Sequence, residues 1–122
     1  MFYQRTNEKQ TYLFLISVGS GWKSCTESFL FSLVNASGAT PTKMPLNGTS
    51  NQHGIYCNSG YGPSFGAGHD LYIANGANAN SSSYSILGTT YQCPAYANSS
   101  SFLAGQRNFS VNEVEVFVLK DI

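Results

Sequence analysis

Gly62-Pro63-Ser64-Phe65-Gly66-Ala67-Gly68-His69-Asp70-Leu71-Tyr72-Ile73 sets the reading of the whole chain. Gly62-Pro63 marks a turn. Gly66 and Gly68 lack a Cβ, so the backbone there can adopt a positive φ or pass close to another backbone. Asp70 to Ile73 then reads as a strand. The expectation is a glycine hinge feeding a buried strand, with Phe65, Gly66 and Gly68 as its structural motif.

Working outward, the other strong signals are also of strand type. Ser28-Phe29-Leu30-Phe31-Ser32-Leu33-Val34 alternates, with Phe29, Phe31 and Leu33 on one face and Leu30, Ser32 and Val34 on the other. Glu113 to Leu119 places Val114, Val116 and Val118 on one side, and Glu115, Phe117 and Leu119 on the other. Such β-branched alternation fits a pleated surface. Tyr12 to Val18, His53 to Cys57 and Ser85 to Tyr91 are further candidate strands, and Thr40 to Leu46 is an extended crossing. Met1 to Gln10 is polar and reads as frayed or as a poor edge. Asn75 to Ser83 and Pro94 to Ser101 are small-residue loops. No amphipathic helix of three turns is visible. The fold class is mainly β: a two-sheet antiparallel β-sandwich with long loops and at most short helices.

The 122 residues suffice for one core. Charged residues are only 10% and balance to zero, so no basic stripe favours nucleic acid. The apolar run Thr11 to Val18 is too short to span a membrane. It also follows Glu8, where a leader peptide would be basic. The chain therefore reads as cytoplasmic. A secreted form is the alternative, in which the sequons at Asn35, Asn47, Asn80, Asn98 and Asn108 would matter. Cys25, Cys57 and Cys93 are odd in number and form no Cys-x-x-Cys, which fits reduced thiols better than a cysteine zinc site.

Candidate chemistry is sparse. Ser64, His69 and Asp70 supply the residue types of a hydrolytic triad, but neighbours on a strand point to opposite faces, which sets His69 and Asp70 apart. His53 and Cys57 share a strand face only at roughly 13 Å, too far for one metal with His69. Gly66-Ala67-Gly68 lacks the Lys-Ser/Thr of a phosphate loop. Cys25 and Cys57 are the candidate reactive thiols, with Lys23 the cation nearest Cys25 in sequence. Glu115 lies within an apolar strand and is expected either to bond a backbone N–H or Arg107, or to face water at an edge. No catalytic residue, metal or cofactor is assigned.

In order, Ser28-Phe29-Leu30-Phe31-Ser32-Leu33, the Gly62 to Leu71 stretch, Phe102-Leu103-Ala104-Gly105 and Phe109 to Phe117 resemble the TLDc domain family, which includes the oxidation-resistance proteins. The likeness runs from about Trp22 to Leu119. It departs at Ala67, where the family usually has glycine, and at Phe117, where tryptophan is common. A complete domain of this type has an N-terminal portion of helices and first strands. Residues 1–21 are short against it, so the expectation is a divergent N-terminal segment with one candidate strand, followed by a partial domain over 22–122. The resemblance implies a β-sandwich and a protein-interaction role in oxidative-stress response or at the vacuolar proton-pumping ATPase. Phe65, Gly66, Gly68 and Glu115 are its structural residues. The alternatives are a hydrolytic or thiol-dependent enzyme and a secreted, glycosylated recognition module.

Overall fold

Eleven short strands are seen in the computed structural model, which describes residues 2–6, 10–14, 19–24, 26–48 and 50–116. They are β1 (Phe2–Thr6), β2 (Gln10–Phe14), β3 (Gly21–Lys23), β4 (Phe29–Ser32), β5 (Thr42–Pro45), β6 (Ile55–Cys57), β7 (Ser64–Phe65), β8 (Leu71–Tyr72), β9 (Ser83–Ser85), β10 (Asn108–Phe109) and β11 (Glu113–Val116). A 3₁₀ turn, Ser50–His53, precedes β6. Among the described residues no helix is long and apolar enough to cross a membrane.

The central sheet has six antiparallel strands in the order β10-β9-β8-β7-β6-β3. Its register decides which residues share a face. Ile55 opposes Phe65, Phe65 opposes Leu71 and Leu71 opposes Ser85, so all four point inward. The first three are the buried floor of the core. Leu30 of β4 and Met44 of β5 join the same cluster, so the β4–β5 pair packs against that inner face. A three-stranded sheet, β11-β1-β2, meets β4 through β2. This is the mainly β, antiparallel sandwich expected, with its second layer divided between two small sheets.

Several local expectations change. Phe2 to Thr6 is not frayed: β1 is the middle strand of its sheet, paired to β2 on one side and β11 on the other. Tyr12 to Val18 begins its strand earlier, at Gln10, and residues 15–18 lie outside the described residues. On β4 the inward face is Leu30 and Ser32, while Phe29 and Phe31 are half-buried. The strand placed at Ser85 to Tyr91 moves to Ser83–Ser85, and the segment after it is a turn. Leu87 and Tyr91 are buried there without being in a strand ladder of their own, so apolar spacing alone was a misleading guide. Glu115 sits half-buried on β11 with its backbone opposite Tyr3. Phe117 to Leu119 lies outside the described residues.

Candidate functional site: an aromatic row over a buried carboxylate

The glycine hinge makes the tip of the β7–β8 hairpin. Gly66 follows β7 with a φ of 90°, in the left-handed region where a side chain is strained. A Cβ there would overlap the Asp70 carboxylate. The turn closes where the His69 N–H donates to the Gly66 carbonyl at 2.9 Å. Gly68 behaves differently. Its φ lies outside the left-handed region, and a Cβ would sit 3.5 Å from Thr89 Oγ1, an ordinary contact. Of the two glycines, Gly66 alone takes a positive φ with a crowded Cβ position. Gly68→Ala is expected to leave the urea midpoint unchanged or slightly raised, because it costs no strain and stiffens the unfolded chain. A loss above about 1 kcal/mol would show a constraint at that position that the structure lacks.

His69 and Asp70 do point apart. Asp70 is fully buried. Its carboxylate accepts the backbone N–H of Thr89 (3.1 Å), of Thr90 (3.0 and 3.1 Å, one to each oxygen) and of Tyr91 (3.0 Å). Burial pushes this carboxyl above its ordinary value, and the amides of Tyr91, Thr90 and Thr89 pull it only part of the way back. The Ala67 N–H donates to Thr90 Oγ1 at 2.8 Å, and the bridge of Leu46 with Tyr91 ties the same turn to the end of β5. Asp70 therefore joins the hairpin of the central sheet to the second layer. It makes no hydrogen bond to His69 Nδ1, as a triad acid would. Ser64 is also fully buried, and its hydroxyl donates to the Gly62 carbonyl at 3.0 Å.

His69 instead joins a row of rings on the outer face of the central sheet. The register aligns Trp22, Tyr56, Ser64, Tyr72 and Tyr84 across five strands on that face. Ser64 is the one small residue among them. The His69 imidazole fills its place, with its centroid 5.6 Å from Tyr56 and 5.9 Å from Tyr72. Trp22 lies 4.7 Å from Tyr56 and stacks on His69 at 5.9 Å and 23°. Tyr72 meets Tyr84 at 5.3 Å, and Tyr61 closes on Tyr56, His69 and Tyr72 at 5.5 to 6.0 Å. His53 packs edge-on to Trp22 at 5.1 Å, and the Arg107 guanidinium lies 5.4 Å over the Tyr84 ring. Trp22 and Tyr61 remain 37% and 44% exposed, so the row reaches solvent.

The candidate thiols stand elsewhere. Cys57 opposes Gly21 on the inner face and packs beside the core. It lines a shallow cleft of about 390 Å³ with Tyr56, Asn58 and Tyr61. Cys25 lies outside the described residues. Burial pushes the Cys93 thiol up, away from the thiolate form that reacts. Both imidazoles of the weighed metal set, His53 and His69, pack on Trp22, whereas Cys57 turns inward; among the described residues no group of three potential ligands is placed to hold an ion.

The row was missed in the sequence, though a signal was present. Ile55-Tyr56-Cys57, Leu71-Tyr72-Ile73 and Ser83-Tyr84-Ser85 each carry a tyrosine between inward-facing residues. Three short strands with one repeated outward residue type imply a shared face.

His69 reaches the rings from the left-handed region. Its φ is 52°, a conformation that histidine, asparagine and aspartate adopt more often than other residues with a side chain. Its Nδ1 is buried and has no hydrogen-bond partner among the described residues. Burial lowers its pKa against the opposing pull of Asp70. The folded chain thus binds fewer protons here than the unfolded chain does. Stability is lost as pH falls through about 6.5, the unfolded value. The thermal midpoint is expected to drop between about pH 7.5 and 5.5, and to drop less in His69→Asn, which tolerates the same φ. Equal drops in both proteins would assign the acid sensitivity to another group.

The sequence matches the family model of the TLDc domain over residues 1–120. The chain belongs to the TLDc family. The match takes in the N-terminal residues that the motif resemblance left out, in keeping with β1 pairing to β11 across the whole length of this TLDc chain. No curated protein and no solved structure is similar enough to it to count as a match.

Proposed function

We propose that this TLDc chain acts as a non-catalytic protein-interaction domain in the cytoplasm, in oxidative-stress response or in regulation of the vacuolar proton-pumping ATPase. The observation that carries the reading is the row of rings from Trp22 to Tyr84, partly exposed on an otherwise charge-poor sheet face. Tyrosine and tryptophan give large contact area at low entropic cost and are enriched at protein interfaces. The residue types that a hydrolase would use support the same reading, since Asp70 is engaged by three amides and Ser64 by a carbonyl. The secreted alternative is not favoured at Asn35, a buried residue whose amide donates to Ser32 Oγ and to the Ala39 carbonyl.

Affinity purification of the tagged chain from cells tests the proposal. Retention of proton-pump subunits at stoichiometric levels is the expected result. A preparation that unfolds cooperatively yet retains none of them would end the pump reading.

A further inference from the structure

We propose that the outer face of the central sheet binds an extended, acidic segment of a protein partner, laid along the rings from Trp22 to Tyr84. This rests on the protein-interaction reading above and names the chemistry of its partner.

Shape comes first. The rings occupy five neighbouring strands, β3, β6, β7, β8 and β9, with His69 standing in for the residue on β7. At about 4.8 Å per strand the row is roughly 19 Å long. An extended segment of about six residues spans that length and turns every second side chain toward it. Neighbouring ring centroids lie 4.7 to 5.9 Å apart, so the rings fill the spaces between one another. That leaves a flat strip rather than the groove an amphipathic helix needs. The strip ends at β3, the terminal strand of the described sheet, where Trp22 is 37% exposed.

Charge comes second. The ionisable groups in contact with the rings are Arg107 on Tyr84 and the imidazoles of His53 and His69. Asp70, next to His69 in the chain, is fully buried and held by backbone amides. Among the described residues the charge held against the rings is thus the Arg107 guanidinium, and carboxylates alternating with apolar side chains complement it. Aromatic sheet faces also stack single-stranded nucleic acid, but that mode relies on a cationic groove that follows the phosphates. One arginine on a chain of zero net charge does not make one.

Trp22 is the only tryptophan, so its emission reports on this strip. The full-length chain is titrated with a set of ten-residue peptides alternating Glu or Asp with Val, Leu or Phe. The same peptides with Lys in place of the acids, and a single-stranded oligothymidylate, are run alongside. Saturable change in Trp22 emission with the acidic set alone is expected, weakened about fivefold in Arg107→Glu, a surface change that leaves cooperative unfolding intact. Calorimetry with Trp22→Ala is expected to show the binding heat lost. Equal binding of the Lys peptides, preference for the oligonucleotide, self-association that shields Trp22, or silence in every arm would each overturn the assignment. If Arg107→Glu and Trp22→Ala still retain pump subunits, this site is wrong while the interaction reading stands. If the wild type binds acidic peptides but retains no pump subunits, the reverse holds.

Discussion

Gly66→Ala is expected to lose about 3–5 kcal/mol of stability, enough to bring a domain of ordinary stability close to unfolding. Two costs combine. A residue with a Cβ held at a φ of 90° is strained by roughly 1–3 kcal/mol. The added methyl would also overlap the Asp70 carboxylate, which has no room to retreat because it is fully buried and bound by amides on its far side. Either the hairpin tip shifts or Asp70 gives up bonds, each costing about 1–3 kcal/mol when a buried donor is left unmet. Urea unfolding monitored by Trp22 emission measures the loss. Gly68→Ala, two residues on, is the internal comparison, since that position has neither the φ nor the overlap. Equal midpoints for the two variants would mean that the hinge is a loose loop, and that Asp70 is not held as described.

That contrast shows how much of the molecule the sequence made legible. Glycine and proline punctuation located the hairpin, apolar alternation located β4, and β-branched alternation located β11. The mainly β class followed from these and from the lack of a helical period. The two glycines looked alike in sequence. What separates them is the position of Asp70, which no spacing rule supplies. The Ser85 to Tyr91 segment failed for a related reason. Leu87 and Tyr91 are buried because the turn between them is clamped from outside, and a clamped turn and a strand can carry the same apolar spacing. The aromatic row was legible in part: period 2 puts Tyr56, Tyr72 and Tyr84 outward on their strands, but only the register aligns them. His69 could not have been placed, because its side chain reaches the row from a turn through an unusual φ. Of the N-terminal strands, β1 was hidden by its polar composition, while β2 was legible in part. Their order comes from backbone pairing with β11 across more than a hundred residues.

Asp70→Ala should be as damaging as any core truncation, again about 3–5 kcal/mol, though no apolar group is lost. The carboxylate serves the N–H groups of Thr89, Thr90 and Tyr91, residues 19 to 21 positions away in the chain. These amides are part of a tight turn whose own carbonyls are already committed: Thr90 O accepts from Asn47 N at 2.7 Å and Tyr91 O from Gly88 N at 2.8 Å. With Asp70 gone the amides of Thr90 and Tyr91 have no bulk water to turn to, because both residues are fully buried. Asp70→Asn separates shape from charge. Asparagine keeps the volume and one acceptor oxygen but turns an NH₂ donor toward amide donors, so it should lose about half as much. The pH dependence of the wild type sharpens the test. The folded-state pKa of Asp70 is raised, so the native chain holds that proton more tightly than the unfolded chain. Its contribution is then greatest in acid and declines as pH rises from about 4 through the raised value. The loss from Asp70→Asn, which cannot titrate, should accordingly be larger at low pH than at neutrality. A loss that shrinks in acid would mean that the amides outweigh burial and hold the carboxylate ionised, and the clamp would then be an ordinary low-pKa anion site.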